Sequence, residues 1–529
     1  MKAIITKYYQ PAIVFILTFS VASIFSVFDI DTFHHGVMFK PAFDVVHGQT
    51  LFRDTFTQYG ALTTLLQSLA LRLFGHYLIV IQIETAFFYA LISVCLYYIW
   101  RRILPDLLTT ISVIIWLFLA PYFLFIFHPW SSVYALFFQT FSFLLVLLAL
   151  EKQKRLMIMF AGCIAVLTFW CRQPVGVLHC ISLVFFLTTT PLITGQKWKS
   201  AMTDCAFFIA GIIAASLPFL VWLAFNGAIY DMYLQSIKAA FLFGSEISSE
   251  SQNNIFVRIL MALFLHRTYE GICQLHMLWN VLPIICLFLL VVLAIKRWRK
   301  RDSVVDHLPL YGLLIVSLAS WMQYYPVNCA RHCYWAATPM IGLFTYAVWK
   351  ICMFRRKDLR IIITIFILVL FFGFEIKIRI AEGYKKISAP RIKIEEPNVL
   401  RGMYLSIKDA LALEEININF TKALQNNSFH YMVNLTYDPL YLTFIGPQKN
   451  FHPLHGSPEI WNKNIYPGFK MLQNKFINEK HPIVLWWGCK NVPGWTCIDL
   501  PALDVGLAIS SKEHRSIALY YFTDRHTIY

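Results

Sequence analysis

The sequence predicts a polytopic α-helical membrane protein of about 11 transmembrane helices, with a C-terminal α/β domain on the outer, periplasmic side. Three observations predict it. The chain is 58% hydrophobic and only 14% charged, where a soluble protein carries roughly 25% charged residues. Apolar runs of about 20 residues, the length that crosses a bilayer core, recur as far as residue 380. Basic clusters close alternate runs, as the positive-inside rule requires of cytoplasmic ends.

Lys2 and Lys7 place the N-terminus in the cytoplasm. Span 1 covers 10–28 and leads out into Asp29-Ile30-Asp31-Thr32-Phe33-His34-His35-Gly36. It lacks an Ala-x-Ala-type exit and many spans follow, so it is not read as a removed signal peptide. Span 2 (76–99) returns to Arg101-Arg102, and span 3 (106–126) leads out to His128-Pro129-Trp130. Span 4 (133–150) returns to Glu151-Lys152-Gln153-Lys154-Arg155. Span 5 (156–171) exits at Arg172-Gln173-Pro174, and span 6 (175–193) ends before Lys197 and Lys199. Span 7 (204–225) opens a second large outer loop, 227–276. Span 8 (277–295) ends in Lys296-Arg297-Trp298-Arg299-Lys300-Arg301. Span 9 (308–325) exits at Tyr324-Tyr325-Pro326, and span 10 (334–353) returns to Arg355-Arg356-Lys357. Span 11 (361–379) then leaves 381–529 outside.

Two further apolar stretches, 53–75 and 255–277, are not counted as spans, because a crossing there would invert the later basic clusters. The first carries Gln58, Thr63, Thr64, Gln67 and Arg72 and is expected as a helix in the outer interface, capped by Asp54. The second holds Arg258, His266, Arg267, Glu270 and Gln274 and is expected as interfacial or re-entrant. Before the first, 40–48 reads as a short helix with Pro41 in its first turn and Gly48 as its stop. The chain thus divides into a transmembrane domain, 1–380, and a soluble α/β domain, 381–529. The first outer loop, 29–75, carries two interfacial helices. In the soluble part 411–413 and 420–424 read as helix, and 429–433, 440–445, 482–487 and 517–522 as strands.

The formal charge of +16 sits at the ends of apolar runs, so it sets topology rather than partner. No Arg-rich stripe interleaves with aromatics, which excludes nucleic acid and leaves membrane lipids as the surroundings. Most of the twelve cysteines lie in apolar runs. Cys489 and Cys497 flank the turn Asn491-Val492-Pro493-Gly494 and are expected as a disulfide, while Cys329 and Cys333 are read as thiols. Walker A, dinucleotide-loop, His-Glu-x-x-His and Gly-x-Ser-x-Gly patterns are all missing. A membrane transferase without a soluble nucleotide site would take an activated substrate already in the lipid phase.

The chemistry concentrates at 29–36. Alternate residues of an extended segment point the same way, so Asp29 and Asp31 are expected to face one cavity. There they serve as a base with its partner, or hold a divalent cation. The plainer alternative is that Asp31 only caps the following helix. His34 and His35 stand three and four residues on, to bind a phosphate, a sugar hydroxyl or a metal, or to line a solvated loop. Lys40 and Arg53, with Asp54 and Gln58-Tyr59, lie where a lipid phosphate sits, and interfacial snorkelling is the alternative. Arg172-Gln173 and Arg331-His332, with Trp335, stand at outer helix ends against the positive-inside trend. They need a counter-anion, either a lipid-linked phosphate or an acid such as Asp31 or Glu84.

The odd number of spans, the acidic motif after span 1 and the two interfacial helices resemble the GT-C superfamily of membrane glycosyltransferases. The phrase from Asp31-Thr32-Phe33-His34-His35-Gly36 through Pro41-Ala42 and Gly48 to Leu51-Phe52-Arg53-Asp54-Thr55-Phe56-Thr57-Gln58-Tyr59-Gly60-Ala61-Leu62 resembles its bacterial branch related to protein mannosyltransferases and aminoarabinose transferases. Ala61 stands where relatives often carry Pro, and Asp-x-Asp where many carry Asp-Glu. The resemblance covers 1–380 in architecture and 29–75 in motif. It implies a polyprenyl-phosphate sugar donor in the outer leaflet and a cell-envelope acceptor, lipopolysaccharide or O-antigen. Asp31 is implied as the base, Asp29 as its partner, with inversion at the anomeric carbon. His34, His35, Arg53, Arg172, Gln173, Arg331 and His332 are expected around the donor, and Asp54, Gln58, Tyr59 and Trp335 around the acceptor. Metal dependence varies among such enzymes; a divalent cation, if one is used, would lie at Asp29 and Asp31. The implied location is the bacterial inner membrane. Two rival readings stand: a lipid-linked sugar flippase, expected to show two related halves, and an O-antigen polymerase, expected to carry its large polar loop between spans.

Overall fold

The computed structural model describes residues 2–238, 241, 277–299, 307–325, 330–352 and 356–426. Beyond these it describes 432–434, 436, 438–444, 446, 471, 475, 477, 483–487, 495–501 and 516–522. In chain order the helices are α1 (Lys2–Ser26), α2 (Thr32–Val46), α3 (Ala61–Phe74), α4 (Leu78–Trp100) and α5 (Asp106–Phe118). Then come α6 (Ser131–Lys152), α7 (Arg155–Cys171), α8 (Gln173–Thr194), α9 (Trp198–Phe225) and α10 (Met277–Arg299). The last are α11 (Leu308–Trp321), α12 (Ala330–Ile351), α13 (Lys357–Ser388) and α14 (Ile407–Asn426).

Among the described residues seven helices are long and apolar enough to cross a membrane: α1, α4, α6, α8, α9, α10 and α13. Each of the eleven expected spans lies on a helix, but α5, α7 and α11 are shorter apolar helices, and α12 is not among the seven either. Span 3 ends early because α5 stops at Phe118 and Pro121 opens a 3-10 turn, Pro121–Phe123. The bundle is layered by burial. Helix α12 is buried along nearly its whole length between α5, α10, α11 and α13. Helices α9 and α13 turn Ile213, Leu217, Phe366 and Leu370 outward. An apolar exterior around a packed interior suits hydrocarbon rather than water.

The segment 29–75 differs from its expectation in both helices. The first begins not at Lys40 but at Thr32, with Asp31 as its cap, and Pro41 falls inside it. The second begins at Ala61, and its N-cap is Gly60 rather than Asp54. Residues between fold as a tight loop instead. Asp54 accepts from Thr50 N (2.8 Å), and Gln235, from a short π-helical segment Tyr233–Lys238, clasps the loop at Thr57 N (3.1 Å) and Phe52 O (2.7 Å). Gly60 explains the Tyr59-Gly60 pair: a Cβ there would meet Trp170 O at 2.0 Å, so only glycine lets the loop lie on the end of α7. Helix α3 buries its small and polar side and exposes Leu69, Leu73 and Phe74. The expected interfacial segment 255–277, like 239–276 generally apart from Phe241, lies outside the described residues save for Met277.

Past α13 the chain turns to strands. A two-stranded antiparallel hairpin joins β1 (Arg391–Lys393) to β2 (Tyr404–Ser406). A four-stranded sheet has the order β3-β4-β6-β5, built from β3 (Met432–Asn434), β4 (Ile483–Trp487), β5 (Trp495–Pro501) and β6 (Ser516–Phe522). Strands β3 and β4 run parallel, and the other pairs antiparallel. Helix α14 unites the two expected helical pieces. The expected strand at 440–445 is instead a 3-10 turn, Pro439–Thr443, because Pro439 at its start favours a turn and its apolar side chains all face inward. Cys497 lies on β5 and is disulfide-bonded, while Cys489 and Cys329 lie outside the described residues.

Candidate active site at the head of α2

Helix α2 begins where α1 has just ended, and its cap carboxylate is almost fully buried. Asp31 Oδ1 accepts from the backbone N–H of Phe33 (3.1 Å) and His34 (2.9 Å), the bonds an N-cap makes. Asp31 Oδ2 accepts from His34 Nδ1 (2.6 Å) and from His128 Nε2 (3.1 Å). His128 in turn takes the Arg331 guanidinium on Nδ1 at 3.3 Å. Arginine only donates, so His128 carries its proton on Nε2 and passes it towards Asp31. The result is a directed chain from Arg331 through His128 to Asp31, with His34 joining from the other side.

Burial alone would raise the Asp31 pKa. The attraction of His34 and the imidazole hydrogen bonds outweigh it and hold the carboxyl well below the usual carboxylate range. Burial, with Arg331 nearby, holds His128 well below the ordinary imidazole value in spite of Asp31. His35 plays a different part. Its Nδ1 accepts from Asp31 N (3.1 Å) and its Nε2 meets Phe127 O (2.7 Å), so it is a neutral brace between α2 and the 121–130 turn. Burial lowers its pKa accordingly.

The two aspartates do not share a cavity. Asp29 has φ of 60°, a left-handed conformation that breaks the alternation of an extended segment. Its carboxylate pairs with Arg391 on β1, its N–H donates to Tyr404 O (2.9 Å), and Arg391 lies 4.9 Å from the Phe28 ring. Asp29 therefore ties the end of α1 to the β1–β2 hairpin. The group whose ligand atoms converge is Asp31, His34 and His128, all buried and within 4.8 Å of one another. Histidine at 128 was not among the residues singled out from the sequence, because it lies 97 positions from its partner. Its place in a short turn between two apolar helices was the available signal.

The other expected residues fall into two sets. Tyr59 packs on Trp130 (5.6 Å between rings), and burial pushes its phenol up to about 12 against the pull of Arg172 and Arg331. Those two arginines, from α7–α8 and α12, thus approach one another around Tyr59. Arg172 also donates to Ser132 Oγ, and Gln173 is buried beside it. Arg53 and Asp54 turn away: Arg53 is exposed and bonds Asp54, Thr50 and Asn226 O (3.0 Å). Gln58 stays beside Tyr59. Trp335 donates to Tyr89 (3.2 Å) within the core, with the His332 ring tilted against it at 5.8 Å. Glu84 accepts from Tyr134 (3.0 Å).

The fold is similar to that of solved archaeal oligosaccharyltransferases. No family model and no curated protein sequence matches the chain. Among solved structures the chain is similar to the archaeal oligosaccharyltransferase AglB from Archaeoglobus fulgidus in complex with an inhibitory peptide and a dolichol-phosphate. That likeness has a TM-score of 0.52 at 12% identity and covers 91% of this chain and 69% of that one. The apo form of the Archaeoglobus fulgidus oligosaccharyltransferase matches with a TM-score of 0.51 at 12% identity, covering 91% and 70%.

Proposed function

We propose that this protein is a membrane glycosyltransferase that moves a glycosyl group from a polyprenyl-phosphate-linked donor to a cell-envelope acceptor on the periplasmic face of a bacterial inner membrane. The single observation that carries the reading is the Asp31 centre: a buried cap carboxylate hydrogen-bonded by two imidazoles and linked through His128 to Arg331. The archaeal oligosaccharyltransferase of the same fold is solved with a dolichol-phosphate, a polyprenol-type phosphate. The 29–75 motif favours the bacterial branch, with lipopolysaccharide or O-antigen sugars as acceptors. Arg331 and Arg172 stand near Tyr59 to meet the leaving phosphate, since a guanidinium matches phosphate geometry.

Asp31 is the catalytic carboxylate in this reading, as the base or as the group that orients it, and attack by the acceptor hydroxyl inverts the anomeric carbon. His34 keeps Nε2 for substrate while Nδ1 holds Asp31. Asp31, His34 and His128 offer one carboxylate oxygen and two imidazole nitrogens, a donor set that suits a first-row divalent cation once both nitrogens are deprotonated. A cation bound there would supply charge neutralisation at the phosphate. The test is purified protein with polyprenyl-phosphate sugars. Release of polyprenyl phosphate by the wild type, lost in a folded Asp31→Asn variant, supports the reading. Full activity in Asp31→Asn removes Asp31 from the mechanism.

A further inference from the structure

Five acids are buried among the described residues: Asp31, Asp44, Asp204, Glu375 and Asp438. Four face a basic side chain, namely His34 and His128, Lys40, Arg155 and Arg379 in that order. Asp438 has no basic partner among the described residues. Its one side-chain bond is to Thr32 Oγ1, which donates to Asp438 Oδ1 at 2.8 Å. Burying a carboxyl without a cation is costly, and proteins accept it where the group works.

Its position is built rather than incidental. Thr32 is the residue after Asp31, so Asp438 reaches the same end of α2. Asn434 accepts from Thr436 N (2.9 Å) and donates to Asp438 O (2.8 Å), and Asp438 N donates to Thr436 Oγ1 (3.3 Å). The 3-10 turn that follows lies flat on α2. A Cβ on Gly36 would meet Leu440 N at 2.2 Å, so the glycine exists to admit that turn. Residues more than 400 positions apart are thus held together, Thr32 to Asp438 through their side chains and Gly36 to Leu440 through close backbone.

The two carboxyls differ in what they have left to offer. Asp31 receives four hydrogen bonds, two on each oxygen, which fills its lone-pair positions. Asp438 Oδ2 receives none from the described residues.

Resting on the transferase reading above, we propose that Asp438 is the catalytic base of this site, taking the proton of a sugar hydroxyl on the acceptor, while Asp31 is the anchoring carboxylate. The step balances. The acceptor O–H bond breaks and its proton passes to Asp438. The oxygen's electron pair forms the bond to the anomeric carbon. The bond from that carbon to the phosphate oxygen breaks, and its pair leaves on the polyprenyl phosphate.

The electrostatics agree with the geometry. Burial, against the Thr32 bond and with the charge of Asp31 adding to it, pushes the Asp438 carboxyl up to about 7. The titratable groups facing it are Asp31 on α2 and Tyr441 on its own turn, whose phenol burial raises well above its ordinary value. A base poised near working pH transfers protons best, and two acids driven apart in pKa mark divided roles.

The experiment is a pH–rate profile of the full chain in lipid nanodiscs. Undecaprenyl-phosphate-linked sugars are the donors, rough lipopolysaccharide is the acceptor, and undecaprenyl phosphate release is read. The wild-type rate climbs with pH through a limb near about 7, because the base must be ionised. Asp438→Asn lowers the rate by about a hundredfold or more, flattens the limb and leaves undecaprenyl phosphate binding unchanged. Asp438→Glu restores part of the rate with a displaced limb. Thr32→Val removes a bond that favours the ionised form, so its limb moves to higher pH, and it carries the test if Asp438→Asn fails to fold. An unaltered limb in Thr32→Val, with wild-type rate in folded Asp438→Asn, overturns the assignment and leaves the transferase reading standing. A folded wild type that releases no undecaprenyl phosphate from any donor overturns both.

Discussion

Asp31 caps the helix that carries Asp44, and both are almost fully buried, but their partners differ. Asp44 is closed on itself: Lys40 Nζ and Thr55 Oγ1 both donate to its Oδ2, at 2.5 and 2.7 Å. A permanent cation one helical turn away leaves no proton to move, so that pair braces the loop against α2. Asp31 is held by imidazoles and linked to Arg331, groups that exchange protons or meet an anion. Burial and residue type are the same in both places. The partner decides whether a buried carboxylate is a strut or a site.

Breaking the Asp31 side gives the largest expected effect. Asp31→Asn keeps a good helix cap, since asparagine caps as well as aspartate. Glycosyl transfer falls by about 10²–10⁴-fold with the thermal midpoint little changed, read by polyprenyl phosphate release beside thermal unfolding in detergent. Breaking the Asp44 side moves stability instead. Asp44→Ala strands the buried Lys40 and costs about 3–5 kcal/mol, whereas a Lys40→Met, Asp44→Leu pair recovers most of it. If the double variant is no better than the single one, Asp44 is more than a brace.

Gly36→Ala is smaller and sits between the two. It pushes the Leu440 turn off α2, costs about 1–3 kcal/mol and lowers activity with the Asp31 network intact. Limited proteolysis of the C-terminal region reports the displacement. Acid weakens the fold through its histidines. His35 and His128 titrate below their ordinary value of 6.5 in the folded state. The unfolded chain therefore binds more protons once pH drops below 6.5, and stability falls from there downward. Thermal midpoints from pH 8 to 5 measure it, and a flat profile contradicts the buried, neutral imidazoles. The smallest effect is at the surface, where Arg53→Gln changes stability by less than about 1 kcal/mol and spares catalysis, because Arg53 points away from Asp31.

The helices and their places were legible because span length and basic ends are local signals, readable along the chain. The site was half legible. Asp31, His34 and His35 stood out as polar groups at an apolar lip, and Arg172, Arg331 and Tyr59 as groups that needed a reason to be there. Asp29 was misjudged in direction, since one left-handed residue turned its carboxylate to Arg391. Asp54 was given a cap that Gly60 provides. His128 and Asp438 carried no neighbouring pattern to mark them.

What the sequence determined by itself is the membrane-spanning helical architecture and the acidic head of α2. These follow from composition and period within a few turns of chain. Only the tertiary structure decided the partners: His128 and Arg331 against Asp31, Arg391 against Asp29, and Asp438 against Thr32. Each joins residues tens to hundreds of positions apart, and a carboxylate's protonation depends on those neighbours rather than on its own place in the chain.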